Sequence, residues 1–311
     1  MLATANGTIA GSVSGGCVET ATALEIEAAI ARGSPKLVTF GVTNERAWEV
    51  GLACGGTIKV FVEPTVRPEV LQAARGNGGE VVVSVIAGAE LGGAARVLED
   101  GRVEGTPSRA ISMDEMRDAA LAALRKEAST SHTVETLDGP ITLFFEVFPR
   151  QPRLVIFGGN QTAVALVPLA QALGYHTVVA DGREAFLDPE RFPQADELIL
   201  AWPEEAFERI GIDSSCYVCV LSHDPKFDEP ALEIALRSPA AYVGAIGSKK
   251  TQASRRDQLK ESGLSEAQVA RLHGPIGLDL GGRQPAEIAL SILAEMTAVR
   301  YGGKAARKEE R

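Results

Sequence analysis

Arg153-Leu154-Val155-Ile156-Phe157-Gly158-Gly159-Asn160-Gln161-Thr162-Ala163 is the stretch that decides the fold of this chain. Residues Arg153 to Phe157 form a short apolar run, as expected of a parallel strand covered on both faces. The paired glycines break the strand, and a helix is predicted from there to about Leu173. Strand, Gly-rich turn and helix in this order form the context that a dinucleotide fingerprint requires. In that fingerprint the second glycine lets the backbone approach a pyrophosphate, and the helix N-terminus supplies aligned N–H donors. Counted in the usual register, the second glycine position is Asn160, which tolerates left-handed geometry but adds bulk where the phosphate would lie. Asp181 closes the next strand, near the position about 20 residues on that binds a ribose hydroxyl. Two readings stand side by side. Gly158, Gly159, Asn160 and Asp181 build a dinucleotide site, or the turn belongs to a Rossmann-like scaffold that binds none.

Downstream the pattern is strict strand–helix alternation. Strands are predicted at Tyr175 to Ala180, Glu197 to Ala201, Cys216 to Leu221 and Ala241 to Ile246, about five with the first. A closing helix runs from about Pro285 to Val299, with Pro at its first turn. This implies a doubly wound parallel sheet whose ligands sit at the carboxyl ends of its strands. Two strand-end loops carry chemistry there. Ser222-His223-Asp224-Pro225 offers His223 as a proton donor or as a group that orients a pterin or phosphate. The plainer reading has Asp228 capping the next helix and His223 packed in the loop. Gly244-Ala245-Ile246-Gly247-Ser248-Lys249 could cradle an anion through Gly247, Ser248 and Lys249. It is not a Walker A loop, because only two residues separate its glycines. Arg283, in Gly277-Leu278-Asp279-Leu280-Gly281-Gly282-Arg283, either clamps a phosphate or is solvated.

Upstream, Phe148-Pro149-Arg150-Gln151-Pro152 marks a boundary between domains at 1–148 and 153–303, with a charged tail at 304–311. The first half mixes strands and helices. A helix is expected from about Val18 to Arg32, stopped by Gly33 and Pro35, with strands at Lys36 to Val42, Thr57 to Glu63 and Glu80 to Ala87. Two-residue hairpin loops are expected at Asp100-Gly101 and Asp138-Gly139, and Ser112 with Glu115 opens a helix to about Ala128. Two thiol loops stand out: Ser14-Gly15-Gly16-Cys17 and Cys54-Gly55-Gly56. Cys17 falls at a helix N-terminus, where the dipole stabilises a thiolate. A thiolate there suits sulfur transfer or contact with a soft metal centre, although structural cysteines are commoner. Cys216 and Cys219 lie within one strand on opposite faces, so both read as core. His132 and His176 have no partners at zinc-ligand spacing.

Composition narrows the classes of function. The chain has 311 residues, a formal charge of −10 and four cysteines, enough length for two cores. The acidic balance argues against nucleic acid or an anionic membrane as main partner. With no apolar run of membrane-spanning length and no signal peptide, a cytoplasmic location with reduced thiols is expected.

Taken together, these motifs resemble the xanthine dehydrogenase accessory-factor family, the XdhC/CoxI type. The resemblance runs through Gly11-Ser12-Val13-Ser14-Gly15-Gly16-Cys17-Val18-Glu19, Gly51-Leu52-Ala53-Cys54-Gly55-Gly56, Asp181-Gly182-Arg183 and Arg191-Phe192-Pro193. It continues through Ser222-His223-Asp224, Tyr242-Val243-Gly244-Ala245-Ile246-Gly247-Ser248, Pro275-Ile276-Gly277-Leu278-Asp279 and the helix from Pro285. It implies an N-terminal mixed α/β domain followed by a Rossmann-like domain. It also implies a maturation factor with no turnover of its own, which holds the molybdenum cofactor (molybdopterin), works with a cysteine desulfurase and delivers to an apo molybdenum hydroxylase. A homodimer is compatible with that picture. On this reading Cys17 and Cys54 line a shared cleft near the cofactor's sulfur or metal end. Gly158, Gly159, Asn160, Asp181, Arg183, His223, Asp224, Gly247, Ser248 and Lys249 then face its anionic end. Family members usually begin with an extra helix and strand, so Met1 falls partway into the first domain. Two other classes compete: an NAD(P)-dependent oxidoreductase using the Gly158 turn, and a thiol-based sulfur-transfer enzyme using Cys17 or Cys54.

Overall fold

The computed structural model describes residues 1–41 and 57–303. The loop with Cys54, Gly55 and Gly56 and the charged tail lie outside the described residues. The chain divides into two compact units, Met1–Arg150 and Gln151–Arg311.

The first unit opens with a small antiparallel pair, β1 (Leu2–Ala3) and β2 (Ile9–Ala10). Helix α1 (Glu19–Arg32) follows, and Gly33 ends it in the left-handed conformation that only a residue without a Cβ adopts freely. Strands β3 (Lys36–Gly41) and β4 (Thr57–Val62) form an antiparallel pair. Ile26 and Ala29 of α1 pack with Val62 of β4. A short helix, α2 (Pro68–Arg75), comes next and had no counterpart in the sequence reading. The main sheet of this unit is antiparallel and five-stranded, in the order β7-β6-β5-β9-β8. Its strands are β5 (Glu80–Ala87), β6 (Ala94–Leu98), β7 (Val103–Gly105), β8 (Thr130–Thr136) and β9 (Gly139–Phe148). Helix α3 (Met113–Arg125) starts at Ser112, whose side chain accepts from the Glu115 N–H, and lays Met116, Ala120 and Ala123 on Val81, Val83 and Val85.

Both hairpin expectations need correction. The Leu98 N–H reaches the Arg102 carbonyl and the Gly101 N–H the Leu98 carbonyl, with Gly101 at φ +83°. That is a three-residue loop with glycine in the left-handed position, not a two-residue one. At the other hairpin Thr136 pairs with Gly139, so the loop is Leu137-Asp138, one residue earlier than expected. Cross-strand register decides which residues are left over for the turn.

The second unit is a six-stranded sheet, parallel throughout, in the order β12-β11-β10-β13-β14-β15. The strands are β10 (Arg153–Phe157), β11 (His176–Asp181), β12 (Glu197–Leu200), β13 (Cys216–Val220), β14 (Tyr242–Ala245) and β15 (Leu272–His273). Counted from β10 this is the 3-2-1-4-5-6 order of a doubly wound dinucleotide-type fold. The sixth strand went unforeseen because two residues carry no periodicity. Helices α4 (Gln161–Ala172) and α9 (Pro285–Tyr301) cover one face, with Leu166, Val167, Ile292 and Met296 in its core. The other face carries α5 (Pro203–Ile210), α6 (Pro225–Arg237), α7 (Lys249–Glu261) and the short α8 (Glu266–Ala270). Leu154 to Phe157 have no exposed surface, each side chain contributing about 1.5–3 kcal/mol on burial. Cys216 belongs to one core and Cys219 to the other, as strand alternation requires.

Candidate functional site

The topological switch point of the second unit lies between β10 and β13, whose following helices depart to opposite faces of the sheet. The loops after these strands are packed against each other. A Cβ on Gly158 would come within 2.6 Å of the Ser222 nitrogen, and one on Gly159 would overlap the Phe186 carbonyl oxygen. These glycines therefore serve the close approach of the protein's own loops. Asn160 is extended, at φ −85°, and caps α4 by accepting from the Ala163 N–H through Oδ1. Its Nδ2 donates to the Leu221 carbonyl at 2.6 Å, stitching the turn to the loop after β13. The bulk anticipated at the phosphate position is thus folded into the scaffold.

Asp181, 1% exposed, is saturated by its own chain. It accepts from the Gly159 N–H (3.0 Å), the Arg183 N–H (3.0 Å) and the Arg183 guanidinium through Nε (2.8 Å) and Nη2 (2.9 Å). Burial pushes this carboxyl upward, but the bonds from Arg183 and Gly159 outweigh it and hold the group below the ordinary range. The guanidinium carbon of Arg183 sits 3.9 Å from the centre of the Phe186 ring and 5.1 Å from that of Phe227. Trp202, half-exposed, stacks on Phe227 at 4.3 Å between ring centres.

The loop after β13 places His223 on the surface at φ +63°, a left-handed conformation uncommon outside glycine. The cap of α6 is Asp224, which accepts from the Lys226 N–H. Asp228 does something else. It is 1% exposed, pairs with Arg255 of α7 at 2.7 Å and accepts from the Ser222 hydroxyl at 2.6 Å. Arg255 also donates to the Ile246 carbonyl (3.0 Å), and Gln252 donates to the carbonyls of Ala245 (3.0 Å) and Ile246 (3.1 Å). This buried network ties the His223 loop to the Gly247-Ser248 loop. Sequence reasoning missed Arg255 and Gln252, because a polar pair distant along the chain leaves no periodic signal. Ser248 caps α7 through the Thr251 N–H, and Lys249 is exposed in its first turn.

In the first unit Cys17 is exposed and precedes α1, whose N-cap is Val18. The backbone N–H groups around Cys17 are taken up by the loop itself, that of Cys17 by the Ser14 hydroxyl. The Glu19 carboxylate collects the N–H groups of Val13, Ser14, Gly16 and Val18 and the hydroxyls of Ser12 and Ser14. The Ser12 hydroxyl bond first, then that from the Ser14 backbone, holds this carboxyl far below the ordinary carboxylate range. Among the described residues no cluster of His, Cys, Asp or Glu could hold a metal ion. No described helix is long and apolar enough to cross a membrane.

The parallel sheet and its switch-point loops thus define a two-unit protein whose second half has the architecture of a nucleotide-type domain. The chain belongs to the XdhC and CoxI family: the model for the XdhC Rossmann domain matches residues 154–296, and that for the XdhC and CoxI family matches residues 1–41. A protein of Bacillus subtilis (strain 168), named as a probable subunit of xanthine dehydrogenase, is 27% identical over 296 residues, 93% of this chain and 84% of that one. The molybdenum cofactor insertion chaperone PaoD of Escherichia coli (strain K12) is 27% identical over 301 residues, 96% of this chain and 77% of that one. A crystal structure from Bacillus halodurans, titled as a xanthine dehydrogenase, superposes with a TM-score of 0.74 at 25% identity, covering 97% of this chain and 86% of that one.

Proposed function

We propose that this protein binds the molybdenum cofactor and hands it to an apo molybdenum hydroxylase of the xanthine dehydrogenase type. One observation carries the reading. Among the described helices, only α4 and α7 have no acidic residue in the first turn, and both begin at the carboxyl edge of the parallel sheet. A helix N-terminus favours an anion, and an acidic side chain in its first turn would compete for the place. Here Lys249 and Lys250 stand at one of the two instead, and the N–H groups of Gln161 and Thr162 at the other have no intrahelical acceptor.

That arrangement fits the phosphate end of a pterin cofactor. The groups that would hold it are the first turn of α4, His223, Ser248 and Lys249, with the Asn160 and Asp228–Arg255 bonds keeping their loops in place. When bound, the cofactor supplies an oxo-transfer metal held by sulfur; this chain supplies the anion contacts. A cysteine desulfurase is the proposed partner for sulfuration, and Cys17, exposed in the loop organised by Glu19, is the proposed contact for sulfur.

The test is anaerobic mixing of full-length protein with molybdenum cofactor released from a donor enzyme, followed by gel filtration. Molybdenum by mass spectrometry and oxidised pterin by fluorescence should co-elute with the protein. Ser248→Asp keeps a good helix cap but puts a negative charge at the α7 terminus, and should weaken retention at least several-fold. Absence of both molybdenum and pterin from the wild-type peak would remove the reading. Exposure of Cys17 also supports thiol-based sulfur transfer. That second reading is abandoned if Cys17→Ser leaves the sulfur content of the delivered cofactor unchanged.

A further inference from the structure

The second unit has the strand order, the turn and the terminal acid of a dinucleotide-binding domain, yet the acid and the Gly159 N–H of the turn are engaged by the chain itself. In such domains the acid at the end of the second strand receives a ribose diol, and the turn's N–H groups receive the pyrophosphate. Here the acid, Asp181, spends both carboxylate oxygens on Arg183 and on the Gly159 N–H. The guanidinium lies over Phe186 and near Phe227, on elements that follow the second and fourth strands of the sheet. That is the side of the crevice on which an adenosine would rest against Asp181.

We propose that Arg183 is a specificity-determining residue that closes this position to NAD and NADP, reserving the crevice for ligands without a ribose diol to offer Asp181. The closure is energetic as well as steric. A diol must displace a two-pronged, charge-assisted pair, which is about twice as strong as a neutral hydrogen bond. The displaced guanidinium would leave behind a carboxylate that is 1% exposed, and an uncompensated buried charge is costly. NADP fares no better. Its 2′-phosphate would need Arg183 as its counter-ion and would lie against Asp181, a like charge. The inference does not depend on the molybdenum cofactor, because the proposed phosphate contacts at α4, His223 and α7 do not include Arg183.

The experiment is calorimetric titration of the full-length protein with NAD and with NADP to about 1 mM, the upper end of ordinary enzyme affinities. Wild-type protein should give no binding isotherm with either. Arg183→Ser frees Asp181 and should bind NAD at least tenfold more tightly than wild type. Adding Asp181→Asn to that variant should abolish the gain. Arg183→Gln, which removes the guanidinium over Phe186 but keeps part of the aliphatic stem, is held to the same standard should the serine variant not fold. Submillimolar binding of either dinucleotide by wild-type protein overturns the proposal, and so does a folded Arg183 variant that remains as refractory as wild type. Either result leaves the co-elution of the molybdenum cofactor to be judged by itself.

Discussion

Replacing Arg255 by Met should unfasten the two strand-end loops of the second unit. The Asp228–Arg255 pair is buried on both sides, with side chains 1% and 10% exposed and a separation of 2.7 Å. The substitution keeps the bulk of the stem and removes the charge. Asp228 would retain one partner, the Ser222 hydroxyl at 2.6 Å, while the Ile246 carbonyl would lose its guanidinium donor. Breaking a buried pair from one side costs about 3–5 kcal/mol, and at roughly 2–4 °C per kcal/mol for a unit of this size the transition falls by about 6–20 °C. Burial raises the Asp228 carboxyl, against the lowering effects of the Ser222 hydrogen bond and Arg255. A raised folded value means that the unfolded chain gives up its proton first, near pH 3.9. The stability associated with this group therefore declines as pH rises from there through the folded value. Without Arg255 the folded value climbs further, so the deficit of the variant is largest at neutral pH and shrinks toward pH 4. Urea unfolding read by hydrogen exchange in peptides spanning 216–237 and 242–261 isolates this unit. A loss below about 1 kcal/mol at pH 7, or one that stays constant with pH, would refute the reasoning.

Gly159→Ala should destabilise the second unit by about 1–3 kcal/mol, the usual range for overpacking, because its Cβ meets the backbone oxygen of Phe186 rather than a yielding side chain. A denaturation midpoint within error of wild type would contradict the packing role assigned to that glycine. Glu19→Gln replaces a carboxylate that takes four backbone N–H groups with an amide that has a single acceptor oxygen, so amide exchange at Val13, Ser14, Gly16 and Val18 should accelerate. In wild-type protein the same protection is present above the unfolded carboxyl value, near pH 4.3, and is lost only as pH falls through the lower folded value. Unchanged exchange in the variant would show that the loop holds itself.

Much of the architecture was legible from local chemistry. The apolar run Arg153 to Phe157, the helix stop at Gly33, the cap at Ser112 and the opposite faces of Cys216 and Cys219 follow from propensities and periods that each segment carries within itself. For the candidate site, the placement of its residues along the sheet was legible, but their bonding was not. Gly158, Asp181, His223 and Ser248 do reach the carboxyl edge of the sheet, because a strand followed by a turn must end there.

What each of them bonds to was decided only in three dimensions. Asp181 and Arg183 stand two residues apart, yet their pairing depends on the Gly159 N–H and on the rings of Phe186 and Phe227. Asp228 finds Arg255 on a different helix, and the Asn160 amide finds Leu221 in the loop after a different strand. The local pattern of apolar and turn residues determined where the elements lie, since that information is short-ranged. The hydrogen-bond partners of buried polar groups were settled by folding, since desolvation demands a partner without specifying where along the chain it must come from.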